Sequence, residues 1–338
     1  MEMRIGSGSN TYEWLDNWAQ VPNREGARVG WAHHGLAITE SGEVVAFHPS
    51  DPSVLVFDQD GKLKRSWDSN LTEGHGITHV KEGQTEYLWF ADNGRKRDHK
   101  LGYEYPPGTG PVSGQVIKAT LDGQTVMTLQ RPDLPIYHEG HYMPTSIAVN
   151  EERRGGNGDI WVADGYGQSY VHRYDRSGGY INSINGEEGE AGRFSTPHGI
   201  FIDRRKPEPE LYIADRGNAR VQVYDLEGCF KRAFGQGFLS SPSGFVAHDG
   251  DLIIAELRAR LTITDIDDNL LGYLGANETV CEVGGWPNNK NENGEIVPTR
   301  LLEQGKFNSP HGLAVDNEGN LYVAGWLIGG RFTKLVKC

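Results

Sequence analysis

The chain has few cysteines, no long apolar run and a shortage of positive charge. Its three cysteines, Cys229, Cys281 and Cys338, are odd in number and far apart, so they predict neither a disulfide framework nor a CxxC site. No segment approaches the ~18 apolar residues of a membrane span, and the first residues contain no apolar signal segment. A net charge of −13 disfavours nucleic acid and anionic membranes, because both require a basic patch. We therefore expect a cytoplasmic protein with a small-molecule substrate; the sequence leaves its oligomeric state open.

A repeated segment is the most informative feature that is present. Six copies each precede an apolar run, a polar turn and a second apolar run, and four copies contain a histidine. These four are His34-Gly35, His75-Gly76, His198-Gly199 and His311-Gly312, and the other two are Thr145-Ser146 and Ser243-Gly244. The intervals between His34 and His311 average about 55 residues, which fits a four-stranded blade of ~40–50 residues with loop insertions.

The repeat predicts an all-β fold, a six-bladed β-propeller in which residues 1–338 form a single domain. Continuous apolar runs such as Ser146–Val149 and Ile160–Asp164 are typical of inner strands that are buried on both faces. The sixth repeat contains only three predicted strands, and residues 332–336 form the third. We expect residues of about 11–20 to supply its missing outer strand, which would close the ring and remove an exposed edge.

Loop lengths indicate which face of the propeller carries the function. The long insertions fall at 93–114, 130–141, 185–196 and 275–308, either between second and third strands or between blades. Because strands alternate in direction, both kinds of connection emerge on the face where the histidines begin their strands. Long loops in a compact domain are usually functional, so we predict that this is the working face.

The histidines suggest a metal site. His75, His198 and His311 belong to blades two, four and six, so their side chains can approach the central axis from three directions. Three neutral imidazoles with an open fourth position are typical of catalytic zinc, although the ligands alone do not select zinc over other divalent transition ions. His34 is an extra residue that would serve as a fourth ligand, as a partner that positions a ligand, or as a base.

The alternative is that Pro-His-Gly merely starts a blade, with the imidazole hydrogen-bonded to a neighbouring backbone carbonyl. The other histidines considered fit no repeat pattern, and we expect them to be ordinary loop or surface residues. These are His33, His48, His79, His138, His141 and His172.

Residues that follow the second strands are expected on the same face of the propeller as the histidines. Tyr166 follows the second strand of blade three and Arg216 that of blade four. A guanidinium and a divalent cation both stabilise a phenolate, which would suit Tyr166 as a general base. Asp215 is interpreted as a structural turn acceptor.

The chain resembles the peptidyl-α-hydroxyglycine α-amidating lyases, and its repeat resembles the NHL repeat. The closest stretch runs from Met143 to Arg220 and includes Ala163-Asp164-Gly165-Tyr166 and Pro197-His198-Gly199. The resemblance implies a zinc ion held by His75, His198 and His311, a catalytic tyrosine at Tyr166 and an arginine at Arg216. It also implies cleavage of the C–N bond of an N-acyl hemiaminal, which releases an amide and glyoxylate.

Two departures from the family pattern point to a different hydroxylated substrate, for lyase-like or hydratase-like chemistry. The family has an arginine after a Phe-His pair, whereas this chain reads Phe47-His48-Pro49. The family also has an aspartate after its last zinc histidine that helps to hold a structural calcium ion. Here that residue is Gly312, which leaves a structural Ca²⁺ open.

Two other classes of function compete with a lyase. One is a non-catalytic NHL propeller that binds a macromolecule on the same face. The other is a propeller hydrolase or lactonase with a central divalent cation, which would need inward-facing oxygen ligands. The available candidates are Asp92, Asn93, Asp164, Asp215 and Glu256. The basic cluster Arg95-Lys96-Arg97 also has two interpretations. It would bind a substrate carboxylate, or it would be part of a solvated loop.

Overall fold

The computed structural model describes residues 3–105 and 113–338, and its regular structure is almost entirely β. Strands are numbered in chain order. The chain begins with β1 (Arg4–Ser7) and β2 (Asn10–Leu15), followed by one short helix, α1 (Arg24–Val29). The first four-stranded sheet contains β3 (Ala37–Ile38), β4 (Val44–Phe47), β5 (Ser53–Phe57) and β6 (Leu63–Asp68).

Four more sheets of the same antiparallel kind follow along the chain. The second contains β7 (Gly74–Glu82), β8 (Thr85–Asp92), β9 (Gln115–Thr120) and β10 (Thr125–Leu129). The third contains β11 (Ser146–Val149), β12 (Ile160–Asp164), β13 (Tyr170–Tyr174) and β14 (Tyr180–Ile184). The fourth contains β15 (Pro197–Asp203), β16 (Glu210–Asp215), β17 (Arg220–Tyr224) and β18 (Phe230–Phe234). The fifth contains β19 (Pro242–His248), β20 (Asp251–Glu256), β21 (Arg260–Thr264) and β22 (Leu270–Leu274).

The remaining elements are a small hairpin and the last sheet. The hairpin consists of β23 (Asn289–Lys290) and β24 (Ile296–Val297) and lies in the long 275–309 loop. The last sheet contains β25 (Pro310–Val315), β26 (Leu321–Gly325) and β27 (Phe332–Lys337), together with β2 and β1. Short 3-10 helices lie at His99–Leu101, Pro135–Tyr137, Glu152–Arg154, Arg216–Asn218 and Glu278–Glu282.

The amino-terminal strand completes the last blade, as predicted. Strand β2 pairs antiparallel with β27, with Trp14 opposite Leu335, and β1 adds a fifth strand. The side chain of Trp14 is buried. The strand ends at Leu15 rather than near residue 20, because Asp16 leaves the ladder and its carboxylate binds Arg331 at 2.7 Å.

The chain divides into two compact units. One contains the described residues of 1–70, 96–107 and 246–338, and the other contains those of 71–95 and 108–245. In the second unit, the middle strands β12 and β16 are wholly buried because their apolar residues pack between sheets. The outer strand β14, by contrast, is largely exposed. This pattern is the one expected for stacked blades.

The cysteines and the helices of the described residues bear on the expectations about disulfides and membrane spans. Cys229, Cys281 and Cys338 are free thiols. No helix among the described residues has the length and apolar character needed to cross a membrane.

Candidate active site

Three of the four histidines of the repeat are oriented by a backbone carbonyl at the equivalent position of another blade. Nδ1 of His75 lies 2.7 Å from the carbonyl oxygen of Thr145, and Nδ1 of His198 lies 2.8 Å from that of Ser243. Nδ1 of His311 lies 3.2 Å from the carbonyl oxygen of His34. A carbonyl can only accept, so Nδ1 carries the proton in each ring and Nε2 carries the lone pair.

The glycine after each histidine permits this contact. A Cβ atom on Gly199 would lie 2.4 Å from the carbonyl oxygen of Ser243, and one on Gly76 would lie 2.6 Å from that of Thr145. Gly312 has the same relation to His34, at 2.4 Å. A side chain would therefore prevent the neighbouring strand from approaching closely enough to accept the bond from the imidazole. It also follows that an aspartate cannot replace Gly312 without a backbone shift.

In the second unit the structure brings four of the predicted residues together. The rings of His75 and His198 lie 4.8 Å apart, and the ring of Tyr166 lies 5.2 Å from that of His75. The Tyr166 hydroxyl donates a hydrogen bond to Nε2 of His198 at 2.9 Å, because Nδ1 already carries the proton of that ring. The guanidinium carbon of Arg216 lies 5.3 Å from the centre of the Tyr166 ring.

The electrostatics of this cluster favour neutral imidazoles. The pKa of His75 is lowered to about 3: burial is the largest cause, the hydrogen bond with Thr145 opposes the shift, and the positive charge of Arg216 adds to it. The ring is therefore neutral at neutral pH, with its proton on Nδ1 and its lone pair on Nε2. Buried neutral imidazoles whose other nitrogen is held by a carbonyl are the donor arrangement that divalent transition ions prefer.

Arg216 presents a hydrogen-bond donor to this cluster. It begins the 3-10 helix that follows β16, and its Nη1 is buried without an acceptor among the described residues. A buried charged donor without an acceptor is costly, so an anionic group of a ligand would be bound well here.

In the other unit, His311 lies beside two further histidines. Its ring lies 4.8 Å from the ring of His33, and its Nδ1 hydrogen bond ends on the backbone of His34. The imidazole of His34 packs on Phe332 at 5.5 Å. The hydrogen bond from His311 uses only the backbone of His34, so it assigns none of the three roles considered to the His34 imidazole.

The expectation of a loop or surface position is wrong for His172, which is buried in β13, whereas His33 and His48 lie in loops but are buried there. His33 is only 4% exposed, because its ring also packs on Trp326 at 5.9 Å. His48 and His172 are buried and hydrogen-bonded; His172, for example, contacts the hydroxyls of Tyr137 and Ser183. His33 is thus a candidate site residue that sequence patterns missed. Its adjacency to His34 was the only available signal.

The acidic residues that end the second strands serve as structural acceptors. Asp164 accepts from the amides of Met143 and Gln168, and Asp215 accepts from Arg220 at 2.7 Å. These bonds support the interpretation of Asp215 as a turn acceptor. They also weaken the case for a site built on inward-facing carboxylates.

Three curated relatives are similar to this chain over most of its length, and no family model matches it. A probable peptidyl-α-hydroxyglycine α-amidating lyase of Caenorhabditis elegans is 24% identical, over 77% of this chain and 70% of its own. NHL repeat-containing protein 3 of Homo sapiens is 26% identical, over 70% and 68%. Peptidyl-α-hydroxyglycine α-amidating lyase 1 of Drosophila melanogaster is 27% identical, over 78% and 45%.

Solved structures with low sequence identity share the fold. A catalytically inactive virginiamycin B lyase from Staphylococcus aureus matches with a TM-score of 0.56 at 13% identity, covering 96% of this chain and 99% of its own. A gluconolactonase from Xanthomonas campestris matches with a TM-score of 0.60 at 16% identity, covering 99% and 95%. The chain is therefore a six-bladed β-propeller that is similar to the peptidyl-α-hydroxyglycine α-amidating lyases and to the NHL repeat-containing proteins, as its repeat predicts.

Proposed function

We propose that this protein is a metal-dependent lyase, with zinc as the expected ion, that acts on a small hydroxylated substrate. The contact between Tyr166 and Nε2 of His198, beside the neutral ring of His75, supports the proposal most strongly. The similarity to relatives named as lyases supports the reaction class.

The proposed ligands are His75, His198 and His311. Each has its Nδ1 fixed by a carbonyl, so Nε2 would face the ion. In His198 the ion would replace the hydrogen bond that Tyr166 donates to Nε2. His33 is a second candidate ligand, because its buried ring packs on that of His311. A bound divalent ion would supply Lewis acidity to a hydroxyl or carboxylate oxygen of the substrate.

The chain's own residues would carry the proton and the charge. With a substrate hydroxyl held beside Nε2 of His198, Tyr166 is within reach to remove its proton. The oxygen electrons would then form a carbonyl as the C–N bond breaks, and the Tyr166 hydroxyl would pass that proton to the departing nitrogen. Arg216, over the Tyr166 ring, would stabilise the phenolate and bind an anionic group of the substrate.

Metal analysis of the purified protein is the decisive experiment. We expect about one divalent transition ion per chain by mass spectrometry, and loss of that ion in the His198→Ala variant. His138→Ala is the matched control, because His138 is exposed and lies outside the repeat. A wild-type protein that contains no such ion and takes up none from zinc-supplemented buffer would contradict the proposal.

A non-catalytic interaction module is the second candidate, and the similarity to NHL repeat-containing protein 3 favours it. Such a module needs no metal, so the same analysis separates the two functions. Retention of the ion in His198→Ala would likewise count against the lyase.

A further inference from the structure

We propose that Arg97 anchors a binding pocket for a carboxylate that is attached to a planar apolar group. The Arg97 pocket is defined here as Arg97 with Trp31, Tyr103, Tyr105 and Trp326. All five residues belong to the same compact unit, so the pocket is complete within it.

The guanidinium of Arg97 lies near three aromatic rings. Its central carbon lies 4.4 Å from the ring centre of Tyr105, and 5.7 Å from the ring centres of both Trp31 and Trp326. Arg97 is partly exposed, but its Nε and Nη1 are buried, so this part of the basic cluster is not fully solvated. The rings attract the positive charge, which explains why the side chain enters the pocket.

Two nitrogens of the Arg97 guanidinium lack a hydrogen-bond acceptor among the described residues. Nε and Nη1 are buried, and neither has an acceptor among the described residues. No ion pair in the described part of the chain includes Arg97 either. A guanidinium is always charged and its donors form a planar fork that matches a carboxylate. An external carboxylate would supply the missing acceptors.

The aromatic side chains that line the pocket contact one another. The rings of Trp31 and Tyr103 lie 5.2 Å apart, and the Tyr103 hydroxyl is fixed by the carbonyls of Gly285 and Trp286. Trp326 packs on Trp31 at 5.7 Å. Such walls favour a flat apolar group next to the carboxylate over an aliphatic acid.

The pocket adjoins histidines of the same unit, since Trp326 also packs on His33. The inference does not depend on the proposed lyase step, because it concerns binding of an anion by Arg97 alone. Titrations with benzoate before and after treatment with a chelator keep the two proposals separate. Removal of a metal ion bears on the proposed lyase, whereas benzoate binding at Arg97 should be the same before and after the treatment.

The test uses benzoate, benzamide and acetate as probes in isothermal titration calorimetry. Wild-type protein should bind benzoate at least about tenfold more tightly than the uncharged benzamide and than the ringless acetate. In Arg97→Gln the preference for benzoate over benzamide should disappear, whereas Arg97→Lys should keep part of it. Lys100→Gln, an exposed lysine in the same loop, should behave as wild type.

Circular dichroism and thermal unfolding establish that each variant is folded. Equal affinity of wild-type protein for benzoate and benzamide would overturn the proposal without any variant. It would also be overturned by unchanged benzoate affinity in folded Arg97→Gln, or by the absence of any binding heat for benzoate.

Discussion

At the scale of single residues, Tyr166 has the geometry of a proton-transfer group. Its hydroxyl contacts Nε2 of His198, and Arg216 lies against its ring. Tyr166→Phe removes the hydroxyl and keeps the ring, so both imidazoles retain their packing. We expect metal content to be unchanged while the release of glyoxylate from N-benzoyl-α-hydroxyglycine, used as a probe of the lyase step, falls by about 10²–10⁴-fold.

Tyr180→Phe is the control for that substitution, because Tyr180 is 43% exposed and its hydroxyl is hydrogen-bonded to that of Ser183. It should leave the rate of the probe reaction unchanged. If Tyr166→Phe retained the wild-type rate with its full metal content, Tyr166 would not be the base.

At the scale of secondary-structure elements, the His-Gly pair couples one blade to the next. Gly199→Ala would place a Cβ against the carbonyl of Ser243, which accepts the hydrogen bond from His198. We expect the free energy of unfolding to fall by about 1–3 kcal/mol through overpacking. Metal content should fall as well, because His198 loses its orientation. Urea denaturation and mass spectrometry measure the two effects.

The matched control is Gly272→Ala in β22, where an added Cβ would contact nothing within 4 Å. It should be neutral for both stability and metal content. A neutral Gly199→Ala would show that the close approach of the two strands is unimportant.

Strand β18 is tied to β16 by a buried carboxylate. Glu210 lies 2.6 Å from Lys231 and 2.8 Å from Arg232. Burial alone would raise its pKa, but hydrogen bonds from Arg232 and Lys231 outweigh burial and lower the pKa from 4.5 to about 2. The stabilisation is therefore fully present above pH 4.5 and is lost as the pH falls toward 2.

Glu210→Gln should consequently lower the free energy of unfolding by about 1.5–3 kcal/mol at pH 7. The difference from wild type should shrink as the pH falls from 4.5 toward 2, which denaturation curves at several pH values would reveal. The exposed neighbour Glu208 provides the control, since Glu208→Gln should be neutral throughout. A difference that stays constant over that range would refute the assigned cause.

At the scale of the whole molecule, the repeat made the fold predictable from the sequence. The predicted strands Ser146–Val149 and Ile160–Asp164 coincide with β11 and β12, because continuous apolar runs between turns have few alternatives. The local environment of Tyr166 and Arg216 was predictable for the same reason, since each follows a second strand of the repeat.

Burial of His33 and of two guanidinium nitrogens of Arg97 could not be predicted, because it depends on partners that are distant in sequence. Both pack on Trp326, more than 200 residues away along the chain. No local pattern distinguishes a basic loop that is solvated from one whose arginine enters an aromatic pocket. The tertiary packing of long loops decides this, and loop shapes do not follow from periodicity.

Because the amino-terminal strand completes the last sheet, we expect it to contribute to the free energy of unfolding of the whole protein. In β2, Trp14 is 1% exposed and packs on Phe307, whereas its neighbour Leu15 is 37% exposed. Trp14→Ala should therefore lower the free energy of unfolding by about 3–5 kcal/mol, and Leu15→Ala should stay within about 0.5 kcal/mol of wild type. Guanidinium denaturation of both variants tests this. If the free energy of unfolding fell by a similar amount in the two variants, the strand would not be integrated into the sheet. A strand that is paired and packed has one buried and one exposed face, so substitutions on the two faces should differ in their effect.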